Sequence, residues 1–293
     1  MKYASHHASA TETKRLALLI EYDGTRYAGW QRQPQIASIQ GVLEDVCQAT
    51  FWEASNDGSP SPIFTINGSG RTDAGVHGRG QVAHVDIPIE NRIAEEKIAR
   101  ALNARLPMDI RIRAAKIVDV GICTRERFHA RFGARRREYR YNLLEEYTVF
   151  RTRYAWHVRQ TLQTAFLQEA ADIFCGKHNF TSFSKHNPAT ENYVCTVQES
   201  AWNEVERGTW QYTIVADRFV YGMVRAIVGA SIDAALGKRS IGELRVALGA
   251  ENRELSSPLA PPEGLILWSV RYEEGRDPFA EYYENEAAMS VLG

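Results

Sequence analysis

The sequence predicts an α+β protein of two similar lobes, ferredoxin-like or RRM-like, each an antiparallel sheet flanked by helices. Three observations predict it: short alternating apolar runs of strand length, longer runs with helical spacing, and a β-α-β-β-α-β order that recurs along the chain. Residues 16–22 read as a strand. Residues 39–51 read as a helix with Leu43, Val46 and Cys47 on its buried side. Residues 63–66 and 81–87 read as strands, the second with Ala83, Val85 and Ile87 on one face. Residues 93–104 read as a helix marked by Ala94, Ile98, Ala101 and Leu102, and residues 110–118 close the half as a strand.

The second half repeats the theme less cleanly. Residues 137–143 form a strand with Tyr139, Tyr141 and Leu143 on one face. Leu162, Phe166, Ala170 and Ile173 mark a helix. Residues 193–202 and 209–215 read as a hairpin turning near Arg207-Gly208. Val220, Val224, Ile227, Ser231 and Ala235 mark an amphipathic helix, followed by a short helix over 241–248 and a strand over 265–272. With the boundary near Gly133, the expected domains are 15–133 and 134–273. A disordered tail, 1–14, precedes them, and an acidic tail, 274–293, follows as a peripheral or disordered segment.

Composition bounds the function. The chain has 293 residues, 44% hydrophobic and 24% charged, ordinary values for a globular protein. Cys47, Cys123, Cys175 and Cys195 are scattered without a Cys-x-x-Cys, which argues against zinc or a disulfide framework and for a reducing cytoplasm. No apolar run is long enough to span a membrane, and the polar start, with His6 and His7, lacks a signal-peptide core. Net charge is −1, yet its distribution is uneven. Arg125, Arg127, Arg131, Arg135, Arg136, Arg137 and Arg140 crowd one segment, with Phe128, Phe132, Tyr139 and Tyr141 among them. Massed arginines with interleaved aromatics suit RNA, whose phosphates they hold and whose bases stack on rings; a solvated salt-bridged surface is the plainer alternative.

Gly70-Arg71-Thr72-Asp73-Ala74-Gly75-Val76-His77 carries the most chemical information. It sets an aspartate in a glycine-flanked turn between two strands. Free aspartate has a pKa of about 3.9, so at neutral pH it is anionic without help, fit to act as nucleophile or base. On this octet alone, a turn in which Asp73 satisfies backbone amides is the simpler account. Asn67-Gly68-Ser69-Gly70 hints at a phosphate loop, but no Lys-Ser or Lys-Thr follows, which rejects a nucleoside triphosphate site.

Four further blocks accompany the octet in fixed order. They are Glu21-Tyr22-Asp23-Gly24 running to Gly29-Trp30-Gln31; Phe128-His129-Ala130-Arg131 with Arg135-Arg136-Arg137-Glu138-Tyr139; Asn179-Phe180-Thr181-Ser182-Phe183; and Met223-Val224-Arg225-Ala226. Together they resemble the TruA family of tRNA pseudouridine synthases over residues 15 to 272. The resemblance implies two lobes meeting in a basic cleft with Asp73 at its floor. It implies an isomerase that converts uridine to pseudouridine at positions 38, 39 and 40 of the tRNA anticodon stem-loop, needing no cofactor and no metal, in a cytoplasmic homodimer. It assigns Asp73 as nucleophile, Arg225 as its ion-pair partner, and Tyr139 as the ring lying against the flipped uracil and candidate base. Arg71, Arg131, Arg135, Arg136, Arg137, Trp30 and Gln31 are then substrate-binding candidates. Attack at C6, attack at C1′ and abstraction of a sugar proton all remain open to Asp73. Ala226 stands where the family commonly has asparagine, and the 54–62 loop is long; both bear on target breadth rather than on the reaction. Three alternatives remain: an RNA-binding protein without catalysis, a related synthase acting on other uridines, and a glycosylase releasing uracil.

Overall fold

The computed structural model describes residues 12–52, 63–121 and 127–290. The expected disordered tail as far as residue 11, the 54–62 loop, Cys123 and Arg125 lie outside the described residues. The first half holds β1 (Thr13–Tyr22), α1 (Ile39–Phe51), β2 (Asn67–Gly68), β3 (His77–Pro88), α2 (Glu95–Asn103) and β4 (Ile110–Gly121). The second holds β5 (Arg136–Leu144), β6 (Trp156–His157), α3 (Ala165–Asp172), β7 (Gly176–Asn179), β8 (Val194–Glu206), β9 (Thr209–Ala216), α4 (Met223–Ala235), α5 (Ile241–Gly249), β10 (Leu265–Arg271) and α6 (Ala280–Ser290).

Sequence reasoning expects two sheets; the structure fuses them into one ten-stranded sheet ordered β4-β1-β3-β10-β5-β9-β8-β7, with β2 on β3 and β6 on β5. The reason lies in the shortness of β2. One edge of β3 is taken by β1 along most of its length. On the other edge β2 covers only Ala83 and His84, which leaves the start of β3 open. There β10 adds in parallel, Ile266 beside His77 and Leu267 beside Gly78, while its opposite edge runs antiparallel to β5.

Residues 63–66 are not a strand, although Phe64 and Ile66 turn inward as a strand would place them. Side chains of α1 take their backbone groups instead. The Ile66 N–H donates to Glu44 Oε1 at 3.1 Å, and the Ile66 carbonyl accepts from Gln40 Nε2 at 3.0 Å. Burial alternation was thus a true signal of packing and a false one of ladder pairing.

Two apolar clusters result. Leu16, Leu18 and Ile20 of β1 meet α1 and α2 through Ile39, Leu43, Ile98 and Leu102. Tyr141, Leu143, Tyr212 and Ile214 meet α3 and α4 in the larger cluster, which Ala17 and Leu19 join from the other face of β1. Ser38 caps α1 by accepting from the Gly41 N–H, and Ser240 with Glu243 forms a capping box on α5.

The acidic segment past Tyr272, expected to be peripheral or disordered, is described as far as residue 290, and there it includes α6 and docks on the sheet. Phe279 is buried in the larger cluster, Asp277 accepts from Arg271 at 2.7 Å, and Glu286 pairs with Arg79 at 2.5 Å. Two of its acidic residues, Asp277 and Glu286, are thus partnered by arginines on the sheet. Phe279→Ala should therefore lower unfolding stability by about 3 kcal/mol, the usual cost of emptying a buried ring site. Urea denaturation checks this, and a change near zero would mean the segment does not contribute to the fold.

Candidate functional site

Asp73 lies in the loop between β2 and β3, and that loop is gripped by the turn after β1. The Trp30 N–H donates to the Thr72 carbonyl at 3.0 Å, the Gly75 N–H to Tyr27 at 3.3 Å, and the Tyr22 hydroxyl bonds Thr72 Oγ1 at 2.9 Å. The approach is close enough to demand glycine. A Cβ on Gly24 would fall 2.0 Å from the Val76 carbonyl oxygen; one on Gly29, whose φ is +96°, would fall 2.5 Å from that of Thr72. The Asp73 backbone is therefore fixed before its side chain meets anything.

The carboxylate meets Arg225 from α4. Arg225 Nη1 donates to Asp73 Oδ2 at 2.7 Å, and the two side chains are 14% and 15% exposed. Arg225 Nε donates to the Ala260 carbonyl at 2.7 Å, and the Ala260 N–H returns a bond to the Arg225 carbonyl at 3.0 Å. The 258–260 segment can lie this close because residue 229 is glycine; a Cβ there would sit 2.0 Å from the Pro258 carbonyl oxygen. Among the described residues Arg225 alone is seen to bond the carboxylate, on Oδ2.

Tyr139 stands on β5, buried, its ring edge-on to Phe219 at 4.9 Å. Burial pushes its phenol up to about 12; the Arg137 guanidinium opposes this and the Asp73 carboxylate adds to it. Tyr139 is thus a neutral hydroxyl at physiological pH, in electrostatic reach of both.

The basic cluster divides. Arg131, Arg135 and Arg136 are exposed, the last two paired only loosely with Glu273 at 3.7 Å and Glu199 at 3.9 Å. Arg137 turns inward. Its guanidinium donates to the carbonyls of Ala134, Asp217, Ser69 and Arg131, which corrects its grouping with the phosphate-binding arginines. Both of its terminal nitrogens are taken, and the bond to Ser69 ties the stretch leading to Asp73 onto the second half of the sheet. Arg140 is held by Glu138 and stacked on Trp268, its guanidinium carbon 3.9 Å from the ring centroid.

Arg71 is exposed beside Asp73. Trp30 is not available to a ligand: it is 2% exposed and lies under Gly68, where a Cβ would meet its ring at 2.6 Å. The expectation of an RNA contact through Trp30 gives way to a supporting one. Gln31 is half-buried and donates to Gln40 Oε1 at 2.9 Å. Sequence reasoning missed Phe219 and Ala260. Phe219 lies just ahead of the Arg225 motif and was legible as an aromatic near it, whereas Ala260 acts through its backbone and leaves no signal in a side chain.

These contacts can be set beside known proteins. The family model described as tRNA pseudouridine synthase matches residues 18–129 and 170–273. The tRNA pseudouridine synthase A of Geobacillus kaustophilus (strain HTA426) is 38% identical over 265 residues, covering 89% of this chain and 96% of that one. That of Bacillus subtilis (strain 168) is 40% identical over 261 residues, covering 88% and 99%. The tRNA pseudouridine synthase A 1 of Protochlamydia amoebophila (strain UWE25) is 38% identical over 261 residues, covering 87% and 95%.

The ion pair makes a thermodynamic prediction that needs no substrate. Asp73→Asn and Arg225→Gln should each destabilise the fold, and the double variant should cost less than their sum by about 1–2 kcal/mol, the coupling of a largely buried contact. Urea unfolding of the four proteins measures it; additivity would mean that the two side chains do not interact in solution.

Proposed function

The chain belongs to the tRNA pseudouridine synthase family, and from that premise we propose that it isomerises uridine to pseudouridine in the anticodon stem-loop of tRNA, at positions 38, 39 and 40, with Asp73 as nucleophile. One observation carries the site assignment: a carboxylate pinned through Oδ2 by Arg225 at 2.7 Å. The guanidinium aims the Asp73 carboxylate through a charge-assisted hydrogen bond.

The target uridine leaves the stem-loop stack, at a cost of a few kcal/mol that contacts to the RNA must offset. Arg71, exposed beside Asp73, is the residue to steer the base or fill the space it vacates. Tyr139 supplies a ring for the uracil to lie against. Its hydroxyl is a poor ionised base: with a pKa pushed up to about 12, forming the phenolate at pH 7 would cost roughly 7 kcal/mol. Its hydrogen-bonding and packing roles are therefore the better supported. The N1–C1′ bond breaks, the uracil turns, C5 bonds to C1′, and the C5 proton passes to solvent while N1 regains one. Nothing is oxidised or reduced, and no cofactor is required.

Exposed Arg131, Arg135 and Arg136 are the phosphate contacts in this reading. The domain division at Gly133 and the two ferredoxin-like lobes find support in strand order: β4-β1-β3-β2 in one half and β10-β5-β9-β8 in the other follow the same sequence-order pattern. A homodimer follows from the family resemblance. A cytoplasmic setting fits the free thiols of Cys47, Cys175 and Cys195, and no helix among the described residues is long and apolar enough to cross a membrane.

The deciding experiment uses tRNA tritiated at uridine C5. The protein should release tritium without added metal or cofactor and without loss of base, and Asp73→Ala should release none. Retained tritium with tight tRNA binding would favour a binding protein without catalysis; free uracil would favour a glycosylase. Separately, Arg135→Ala with Arg136→Ala should weaken tRNA binding and flatten its salt dependence by about one to two phosphate contacts. An unchanged slope would remove both residues from the RNA footprint.

A further inference from the structure

We propose that His77 is a positioning residue for Asp73, acting through the turn after β1, with Asp23 and Tyr154 holding that turn and ring in register. The inference rests on the assignment of Asp73 as the nucleophile.

His77 is 3% exposed and is the first residue of β3, four positions after Asp73. Its backbone is fixed in the sheet beside Ile266 of β10. Its side chain reaches back across the loop it ends. Nδ1 lies 3.1 Å from the Gly24 N–H and 3.2 Å from Asp23 Oδ1. Both cannot be bonded at once, because the first needs a bare nitrogen and the second a protonated one. Burial lowers the imidazole pKa against the pull of Asp23, and the Gly24 N–H points at Nδ1 in hydrogen-bond geometry, the bond that the neutral ring protonated on Nε2 accepts.

That bond is placed where it controls Asp73. The turn grips the start of the catalytic loop at Thr72, through Trp30 and Tyr22. His77 grips the same turn from the end of the loop, at Gly24. The turn lies too close to the loop at Gly24 for any side chain, since a Cβ there would fall 2.0 Å from the Val76 carbonyl oxygen. Loop and turn are thereby closed into one unit with Asp73 at its apex. Without an acceptor at His77 the buried Gly24 N–H would be left unpaired, and the turn would have to move to satisfy it.

The second half of the chain locks this unit. Tyr154 lies edge-on to His77, ring centroids 4.9 Å apart, and its hydroxyl donates to Asp23 Oδ2 at 3.1 Å. Arg153 approaches the same oxygen at 3.7 Å, and Thr25 donates its N–H to Oδ1 at 3.0 Å. Burial works against ionising Asp23, and these hydrogen bonds overcome it, holding its carboxyl below the ordinary range. Glu21, Arg79, Asp109 and Arg111 are the other charged groups around the cavity of about 310 Å³ that His77 and Tyr154 border. Asp73 does not line that cavity, and the path from His77 to it runs through Gly24 and the turn.

The test measures kcat and KM for C5-tritium release from tRNA. His77→Leu keeps bulk but accepts nothing, and kcat should fall about 30-fold with KM within threefold of wild type, the cost of a nucleophile displaced by a fraction of an ångström. His77→Asn places Oδ1 where Nδ1 stood and should recover to within about threefold. Tyr154→Phe removes one half-exposed hydroxyl and should lower kcat about threefold at constant KM. Should His77→Leu fail to fold, the other two variants decide. The proposal is overturned by an Asn variant as impaired as a misplaced ring would be, by Tyr154→Phe with wild-type kcat, or by effects confined to KM. Wild type releasing no tritium, or Asp73→Ala releasing as much as wild type, would instead sink the synthase assignment and this inference with it.

Discussion

The contact between Asp73 and Arg225 is the constraint on which the rest of the structure turns. The carboxylate belongs to a loop of the first half, the guanidinium to a helix of the second. A guanidinium that is 14% exposed cannot shed its charge and must have an anion. The two halves are therefore obliged to meet in one register, and other features serve that meeting. Gly229 lets the 258–260 chain lie against α4, where Ala260 takes the second face of the guanidinium. Arg137 bridges Ser69 to Asp217 across the same junction. Glycines 24 and 29 bring the turn after β1 into backbone contact with the loop. Each would be an odd choice for stability alone; together they fix one oxygen of one side chain.

The charge arrangement around that oxygen suits a nucleobase better than a phosphate. Asp73 and Arg225 cancel, and Tyr139 is neutral. The immediate surroundings present a ring, a hydroxyl and one anionic oxygen, with little net charge to attract a phosphate inward. Exposed positive charge stands outside, on Arg71, Arg131, Arg135 and Arg136, the last two only loosely paired. A flipped uridine carries its charge on the backbone and none on the base, so this division fits the proposed substrate even though the net charge of the protein is −1.

Much of this was legible in the sequence, for reasons that can be named. The helix over 39–51 falls where its apolar spacing puts it, because Ser38 supplies a cap and Trp52 ends the pattern. The hairpin of β8 and β9 turns at Gly208, whose φ of +69° a glycine adopts freely. Asp73 and Arg225 were linked by a resemblance in motif, not by spacing, since 152 residues separate them. What failed to show was whatever depends on a partner. Residues 63–66 alternate like a strand, but their hydrogen bonds go to Gln40 and Glu44. Arg137 looks like its neighbours in the basic cluster, and only the fold reveals four carbonyls around it. The acidic residues after Tyr272 resemble a solvated tail until Arg79 and Arg271 are seen facing them. Charge is written in a sequence; who neutralises it is not.

The joint between the halves shows the same dependence at the level of topology. In the second half, the position next to β9 is filled by β8, a strand of 13 residues, and no edge is left there for another chain segment. In the first half the corresponding position next to β3 is filled by β2, of only two residues. Had β2 been as long as β8, β3 would have had both edges occupied, and β10, paired with β5 on its other edge, could not have joined it. The halves could then have met only through side chains, a softer contact than a hydrogen-bonded ladder. Because β2 stops at Gly68, β10 can reach His77 and Gly78, at the end of the loop that carries Asp73. The shortened strand, which departs most from a repeated plan, is thus what carries the rigidity of a sheet to within a few residues of Asp73.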